Sequence, residues 1–518
     1  MYVRKKHNRS GTVSIVIVDK SSGKYKEVKT IGVAQDKHQE ASLLAKAKEW
    51  IEKHTKGEDI FRAHQQEQEE LQLTKHLLSK IENILLNGIQ LLVNRVYDSI
   101  GFDKIKDDEL RYLVVSRLGQ PLSKSATVEY LKTHFNEDTD LNKIYRYLDK
   151  LYKTQQEEIQ QISVSHTRKI LGGKIGLLFY DVTTLYFETD KKDDLREPGF
   201  SKDGKHSQSQ IVLGLLVSKE GYPLSYALFN GAQYEGRTML PILEDFVHRF
   251  ALSDFVIVAD SGLMNKTNLA LLEAHDYKYI IGERIKNIAQ KTKNQILCFE
   301  KKDGLFHQLK TAKGRLIISY SKKRAKKDAY NRDKGIKRLE KAFKSGKITK
   351  ENVNKRGYNK FLEITDDVHV HINQEKIEED KKWDGLKGYI TNTTLDPKEV
   401  YEQYRGLWVI ERAFRVTKGT LQTRPIFHFT PRRIEAHVCI CFVAYKVYKE
   451  LERILKLNGF QMSVDSVLSI AKTITTLEIK LTEGNRVIQK TMLLTKKQKE
   501  IAMLFEDDFW KNSFWVAH

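Results

Sequence analysis

Asp181 closes the apolar run IGLLFY and Asp260 closes FVIVA, so each carboxylate stands where a buried strand emerges at the rim of a sheet, a position suited to a metal ion. A strand-terminal Asp also forms turns or caps helices, and Asp260 precedes Ser-Gly, so each residue taken alone is open to that reading. A third acid, Glu411, lies in DPKEVYEQYRGLWVIERAFRVTKGTL, which reads as one helix because Pro397 suits a first turn and Gly419 suits an end. Tyr404, Glu411 and Lys418 are spaced by about two helical turns each and share one stripe. A core stripe would carry Leu or Ile; a Glu there needs an ion pair, with Arg415 or Lys418, or a metal.

These acids need elements to hold them. From residue 174 the chain runs KIGLLFYDVTTLYFET, QIVLGLLVSKEGYPLSYALF, a helix near TMLPILEDFVHRF, DFVIVADSG, a helix in NKTNLALLEAHD, and YKYIIGE, an order of β-β-β-α-β-α-β. The KEG turn makes the second and third strands an antiparallel hairpin, and the later helices imply parallel crossovers. This is the ribonuclease-H-like order, with Asp181 and Asp260 on strands expected to be neighbours. The expected class is therefore α/β.

Around this core the patterns change. Residues 1–35 alternate polar and apolar about SSGK, a β-hairpin, ahead of the helical HQEASLLAKAKEWIEKH. Residues 108–170 carry helical periodicity in DELRYLVVSRLGQ, SKSATVEYLKTHF and LNKIYRYLDKLYKTQ. The second and third of these helices resemble a helix-turn-helix arrangement in which Lys143, Arg146, Lys150 and Lys153 offer phosphate contacts; a helical spacer with a solvated basic face is the other reading. Between the two halves of the core, GLFHQLK and RLIISYS read as strands and a basic run extends from Lys322 to Lys360. The expected organisation is a β-hairpin and helical region over 1–107, a helical and candidate DNA-binding domain over 108–170, the ribonuclease-H-like core over 171–282 and 390–450, a basic β-rich insertion over 283–389, and a C-terminal region over 451–518.

Composition narrows the class of partner. Lys and Arg outnumber Asp and Glu by 89 to 68, a formal charge of +21, and such an excess draws polyanions by releasing condensed counterions. Solubility alone would also use that charge, so it selects nucleic acid as a partner and not a reaction. At 518 residues with 40% hydrophobic side chains the chain is long and apolar enough for several cores or one core with large insertions.

Other chemistries find little support. Cys298, Cys439 and Cys441 are too few for a disulfide framework, which suits a reducing cytoplasm. His437, Cys439 and Cys441, at offsets of two on a helix, point in different directions and read as core, not as a zinc site. Gly172 and Gly173 belong to no phosphate loop, so no nucleotide cofactor is expected. The N-terminus reads as no signal peptide, and no run of about 18 apolar residues suggests a membrane span.

The 397–419 segment resembles the Y-x2-R-x3-E-x6-K signature of the large insertion-sequence group of DDE transposases. Tyr404, Glu411 and Lys418 fall in register; Leu407 holds the Arg position, with Arg405 nearby as a substitute. The likeness continues in YDVTTLYFE, VLGLLVSKEGYPLSYALFNGAQYEGRT, VADSGLMNKTNL and RPIFHFTPRRIEAHVCICFVAY, covering roughly residues 110–450. It is closest to the long-chain subgroup with a large β insertion between the second Asp and the Glu.

The resemblance implies a catalytic triad of Asp181, Asp260 and Glu411 holding two Mg²⁺ ions, with Mn²⁺ as a substitute. It implies cleavage of a phosphodiester at the element's end, then attack of the freed 3′-hydroxyl on target DNA. Hard oxygen ligands suit such ions, which work in pairs roughly 3.5–4 Å apart. Tyr404, Arg405, Arg415 and Lys418 are implied DNA contacts. Trp408 and Trp383 are candidates to stack on an unpaired base, Trp383 having the alternative of packing its own segment. The implied partners are double-stranded DNA, as inverted repeats and target, and a second copy of the chain, in a prokaryotic cytoplasm at the nucleoid. A nuclease of the same fold without strand transfer and a domesticated, non-catalytic DNA-binding protein are the alternatives.

Overall fold

The computed structural model describes residues 1–21, 23–201, 204, 207–263, 265–312, 314–345, 353–354, 357–365, 369–481, 486–505 and 513–515. Part of the basic run from Lys322 to Lys360 and part of the C-terminal region therefore lie outside the described residues. The chain divides into two compact units, Met1–Ile84 with Leu477–Lys490, and Leu85–Thr476 with the residues from Thr491 onward.

In the first unit, β1 (Tyr2–His7), β2 (Val13–Asp19) and β3 (Lys26–Ala34) form an antiparallel sheet in that order. The expected hairpin is β2–β3, and β1 is an added edge strand that alternation of apolar residues could not reveal, because YVRKKH is almost wholly exposed. Ile15, Ile17 and Ala47 are its core. The helix α1 (Lys37–Leu78) begins at Asp36, whose side chain accepts from the Gln39 N–H at 2.8 Å. It is far longer than its apolar pattern predicts. The polar stretch that follows is rich in Glu, Gln, Lys and Leu, which hold a helix by propensity alone. A short strand, β4 (Ile81–Leu85), follows.

The second unit opens with α2 (Gly88–Ile100), α3 (Asp108–Gly119), α4 (Lys124–Phe135), α5 (Leu141–Thr154) and α6 (Gln156–Ile170). The helices expected over 108–170 form, with Ser123 and Asp140 as the caps of α4 and α5. Two of the four cations assigned to α5 are paired at the surface: Lys143 with Glu109 at 2.9 Å and Lys150 with Asp107 at 2.8 Å. Arg146 and Lys153 stay exposed.

The core strands follow as β5 (Leu177–Tyr186), β6 (Gln210–Ser218) and β7 (Pro223–Asn230). Next come α7 (Met239–Phe250), β8 (Val256–Ala259), α8 (Lys266–Ala274) and β9 (Lys278–Glu283). Pairing runs β7-β6-β5-β8-β9, with β5, β6 and β7 antiparallel and β5, β8 and β9 parallel, which is the expected ribonuclease-H-like order. Every residue of β6 is buried, as a strand covered on both faces requires. Phe179 and Val258 face one apolar cluster, together with α2–α6 and the later helices; Leu178, Ile257 and Ile281 face the other, with α7 and α8.

The segment read as a β-rich insertion departs from that reading. After α9 (Gln290–Leu297), β10 (Phe306–Thr311) and β11 (Gly314–Tyr320) do form. The basic run then begins as a helix, α10 (Lys322–Lys344), because its Lys, Arg, Ala and Leu favour one and Ser321 caps it. The small hairpin β12 (Leu362–Thr365) and β13 (His369–Ile372), the helix α11 (Gln374–Lys381) and β14 (Leu386–Thr391) complete the segment. β14 pairs with β9, and β11 and β10 follow it, so the central sheet has eight strands, three of them from this segment. A strand whose partner lies across a hundred residues leaves no local trace.

The stretch expected as one helix is two, α12 (Pro397–Arg405) and α13 (Trp408–Lys418). Gly406 and Leu407 between them form a tight turn in which Leu407 N donates to Tyr404 O at 3.1 Å and Val409 N to Gly406 O at 2.9 Å. Close packing reserves the position for glycine: a Cβ on Gly406 would run into the Phe179 ring. The chain continues with α14 (Pro431–Leu457), buried around most of its circumference, then α15 (Val464–Ala471), β15 (Thr475–Lys480), β16 (Val487–Leu493), α16 (Lys496–Ala502) and β17 (Ser513–Trp515). His437, Cys439 and Cys441 are buried on α14, in keeping with a core role. Among the described residues no helix is long and apolar enough to cross a membrane.

Candidate active site

Parallel pairing sets Tyr180 of β5 beside Ala259 of β8, so the next residues, Asp181 and Asp260, fall on adjacent strands separated by about 4.8 Å. Asp181 is not at a strand end as expected: β5 runs on to Tyr186, held by its pairing with β6. The rim is created by β8, which stops at Ala259. Asp181 shares the face of Phe179, and Val182 N donates to Asp181 Oδ1 at 2.8 Å.

On that face lie α12 and α13, seated by Val400, Tyr404, Leu407, Ile410 and Phe414. Glu411 is an exposed residue in the first turn of α13 and lines, with Asp181 and Asp260, a single cavity of about 660 Å³. The three acids, far apart in the chain, are thus brought together. Among the described residues no three His, Cys, Asp or Glu side chains converge on one point, so the acids edge a shared cavity and do not close a cage.

Tyr404 is placed differently from its expected role as a DNA contact. It is only 4% exposed, and its hydroxyl donates to Asp260 Oδ1 at 2.8 Å. Burial and the Asp260 charge push its phenol well above the usual range, so it stays a donor. Gly282 of β9 makes the approach possible, since a Cβ there would meet the Tyr404 oxygen at 2.5 Å.

Arg405 and Trp408 line the cavity, Arg405 over the Tyr401 ring at 5.5 Å and Trp408 with 57% of its surface exposed. Leu407 also lines it but is otherwise buried in the core. Arg415 and Lys418 are not among the described residues that line the cavity: Tyr404 and Glu411, on either side of Gly406, both line it, and Lys418 lies two helical turns beyond Glu411 at the end of α13. Trp383 packs against the second apolar cluster, on the far face of the sheet.

Two cations that the sequence reading did not single out also line the cavity: Lys387 of β14 and Arg324 of α10. Lys387 Nζ lies 4.3 Å from the centre of the Tyr404 ring. Burial pushes its ammonium down, Arg324 adds to that, and Asp260 and Glu411 oppose it. The one signal in the sequence was a Lys inside the apolar run LKGYIT.

The family model described as a transposase DDE domain matches residues 172–446, more than half of the chain. The chain belongs to the DDE transposase family. The match starts just before β5 and ends inside α14, so it takes in every element that carries an acid of the cavity. No curated protein matches the transposase. One similar solved structure is the piggyBac transposase in a synaptic complex with hairpin DNA, 10% identical over 71% of this chain and 70% of that chain, TM-score 0.38. Another is the Mos1 transposase in a paired-end complex with the left transposon end, 10% identical over 33% of this chain and 57% of that chain, TM-score 0.16. At such scores neither decides anything about this transposase, whose membership rests on the family match.

Proposed function

We propose that the transposase cuts phosphodiester bonds at the ends of an insertion sequence and joins the 3′-hydroxyl ends to target DNA, with Asp181, Asp260 and Glu411 as its catalytic acids. The observation that carries this reading is the shared cavity, into which two adjacent strands and one helix of the family-matched region each bring an acid. The donor set fits divalent Mg²⁺ or Mn²⁺: carboxylates and hydroxyls line the cavity, and among the described residues no Cys or His does. Asp181, Asp260 and Glu411 would hold such ions, whose chemistry when bound would be to activate an attacking oxygen and stabilise a leaving one.

The remaining roles belong to the chain itself. Tyr404 holds Asp260 by its hydroxyl, a positioning role. Lys387 and Arg324 supply positive charge to a phosphate held against the acids. Trp408 offers an exposed ring to an unpaired base at the cavity mouth. Arg405 stands on the rim as a backbone contact, and Arg415 and Lys418 are assigned to DNA outside the cavity. Two ends must be paired for joining, so a homodimer on DNA is expected, with the insertion sequence's inverted repeats as the specific substrate.

Asp181→Asn, Asp260→Asn and Glu411→Gln should each abolish Mg²⁺-dependent cleavage of end-containing DNA while binding survives, as read by gel assays on the same duplex. Undiminished cleavage by any one of them overturns the triad. Joining is tested separately with a pre-cut end bearing a free 3′-hydroxyl and a plasmid target. Cleavage without joining would leave a nuclease of the same fold.

A further inference from the structure

A second cavity, of about 320 Å³, opens where α3, the start of α4, α5, α14 and the loop after α13 meet. Arg117 and Lys124 line it, each only 6% exposed, and among the described residues no carboxylate lines it. Elsewhere in this unit buried guanidinium groups are matched, Arg332 by Asp384 at 2.6 Å and Arg196 by Asp193 at 2.7 Å. Two buried cations side by side without an acid repel each other and are desolvated together, which is unfavourable unless an anion completes the group. Burial and the Arg117 charge hold the Lys124 ammonium at about 7, and burial with Lys124 and Arg117 drives His428 down to about 3.

Two more features face the same space. The 12-residue helix α4 presents its N-terminus there, with Ser123, Lys124 and Ser125 on the cavity wall, so its dipole adds positive charge. His437, 5% exposed, also lines the cavity; its Nε2 lies 3.1 Å from Thr423 O, and its buried Nδ1 has no hydrogen-bond partner. The carbonyl can only accept, so Nε2 carries the proton of a neutral ring and Nδ1 is an acceptor, which makes no bond to an anion; Arg117, Lys124 and the α4 N-terminus are the groups that would hold one.

We infer that this cavity binds a phosphate group, and that the phosphate is one in the backbone of the DNA on which the transposase acts. Three observations favour DNA over a free phosphate. The cavity loop is tied to the far end of the strand that carries Asp181, through Ile426 N to Tyr186 O at 3.1 Å. The five residues from Asp181 to Tyr186 span about 17 Å, a distance that a duplex entering the first cavity covers in about five phosphates. Phe427 and Phe429 stand 63% and 61% exposed at or beside the mouth, where sugars and bases would lie, and Arg146 is exposed on α5 next to the lining residue Tyr145.

The inference rests on DNA as the substrate and not on the roles proposed for the three acids, so its test is binding without metal. Full-length protein in EDTA is titrated against a fluorescent random duplex of about 30 base pairs from 50 to 200 mM salt. Arg117→Met and Lys124→Met should each weaken binding about tenfold at the low end and make the log–log salt slope shallower by about one. Their melting temperatures should not fall, since each variant removes an unmatched buried charge. Ser125→Asp guards against misfolding: an acid in the first turn of α4 suits the helix yet repels a phosphate, and it should weaken binding equally. Unchanged affinity and slope in folded variants overturns the inference. A rise in melting temperature with about 10 mM inorganic phosphate in the wild type but not in Lys124→Met, with DNA binding unaltered, overturns DNA as the source.

Discussion

The hydroxyl of Tyr404 donates to Asp260 Oδ1 at 2.8 Å, a charge-assisted hydrogen bond from a buried phenol to an exposed carboxylate; bonds to charged groups contribute about 1.5–3 kcal/mol, and solvent at the carboxylate holds this one toward the low end. It restrains one acid of the three while leaving the other Asp260 oxygen for a ligand. Tyr404→Phe is therefore expected to keep DNA affinity, slow cleavage about tenfold, and raise the Mg²⁺ concentration needed for half-maximal rate. An unchanged metal dependence, read from cleavage rates across a Mg²⁺ titration, would show that the phenol does not position Asp260. Lys387 sits over that ring with Asp260 and Glu411 in its field. Lys387→Met should lower the cleavage rate by about two orders of magnitude if it meets the transferring phosphate, the scale of a lost charged donor in an active site. A fall in affinity alone, with the single-turnover rate intact, would make it a binding residue only.

At the scale of elements the decisive feature is the turn at Gly406 that parts α12 from α13. Phe179 of β5 fills the space a side chain would need, and so links the strand of Asp181 to the helix of Glu411. Gly406→Ala should destabilise the protein by about 1–3 kcal/mol through overpacking. Phe179→Leu should recover part of that loss when combined with it, and the coupling in a double-mutant cycle by urea unfolding is the measurement that decides. Strictly additive losses would mean that the two residues do not meet. The break parts one expected helix into two, yet Tyr404 and Glu411, on either side of it, line one cavity, as their two-turn spacing implied. A glycine inside a helical pattern was the only local warning.

Across the whole molecule the excess of Lys and Arg, +21 in formal charge, should make DNA binding fall steeply with salt, by about a thousandfold or more between 50 and 200 mM if several phosphates are neutralised. The exposed lysines of α10 are part of that field, since Lys326, Lys327 and Lys334 all face solvent on the helix that begins beside Arg324 of the cavity. Replacing these three with Gln should make the salt slope shallower by about two to three while leaving the unfolding midpoint within about a degree, because exposed lysines without close partners add little stability. An unaltered slope would assign α10 to solubility.

The order of the five core strands and the helices that alternate with them were legible in the amino-acid sequence, and the three acids it offered as candidates line one cavity. Buried strands write themselves as apolar runs, turns as Gly and Asp, and each of those signals is local. The motifs around Asp181, Asp260 and Glu411 were likewise contiguous, which is why the family could be read from them. Only the tertiary structure decided that β14 completes the cavity with Lys387 and that Tyr404 turns inward to Asp260. It also decided that Arg117 and Lys124 meet without an acid beside α14. Each of these depends on pairing or packing between segments far apart in the chain, where a residue's neighbours are set by which surfaces bury together, and the spacing of residues along the chain carries no record of that.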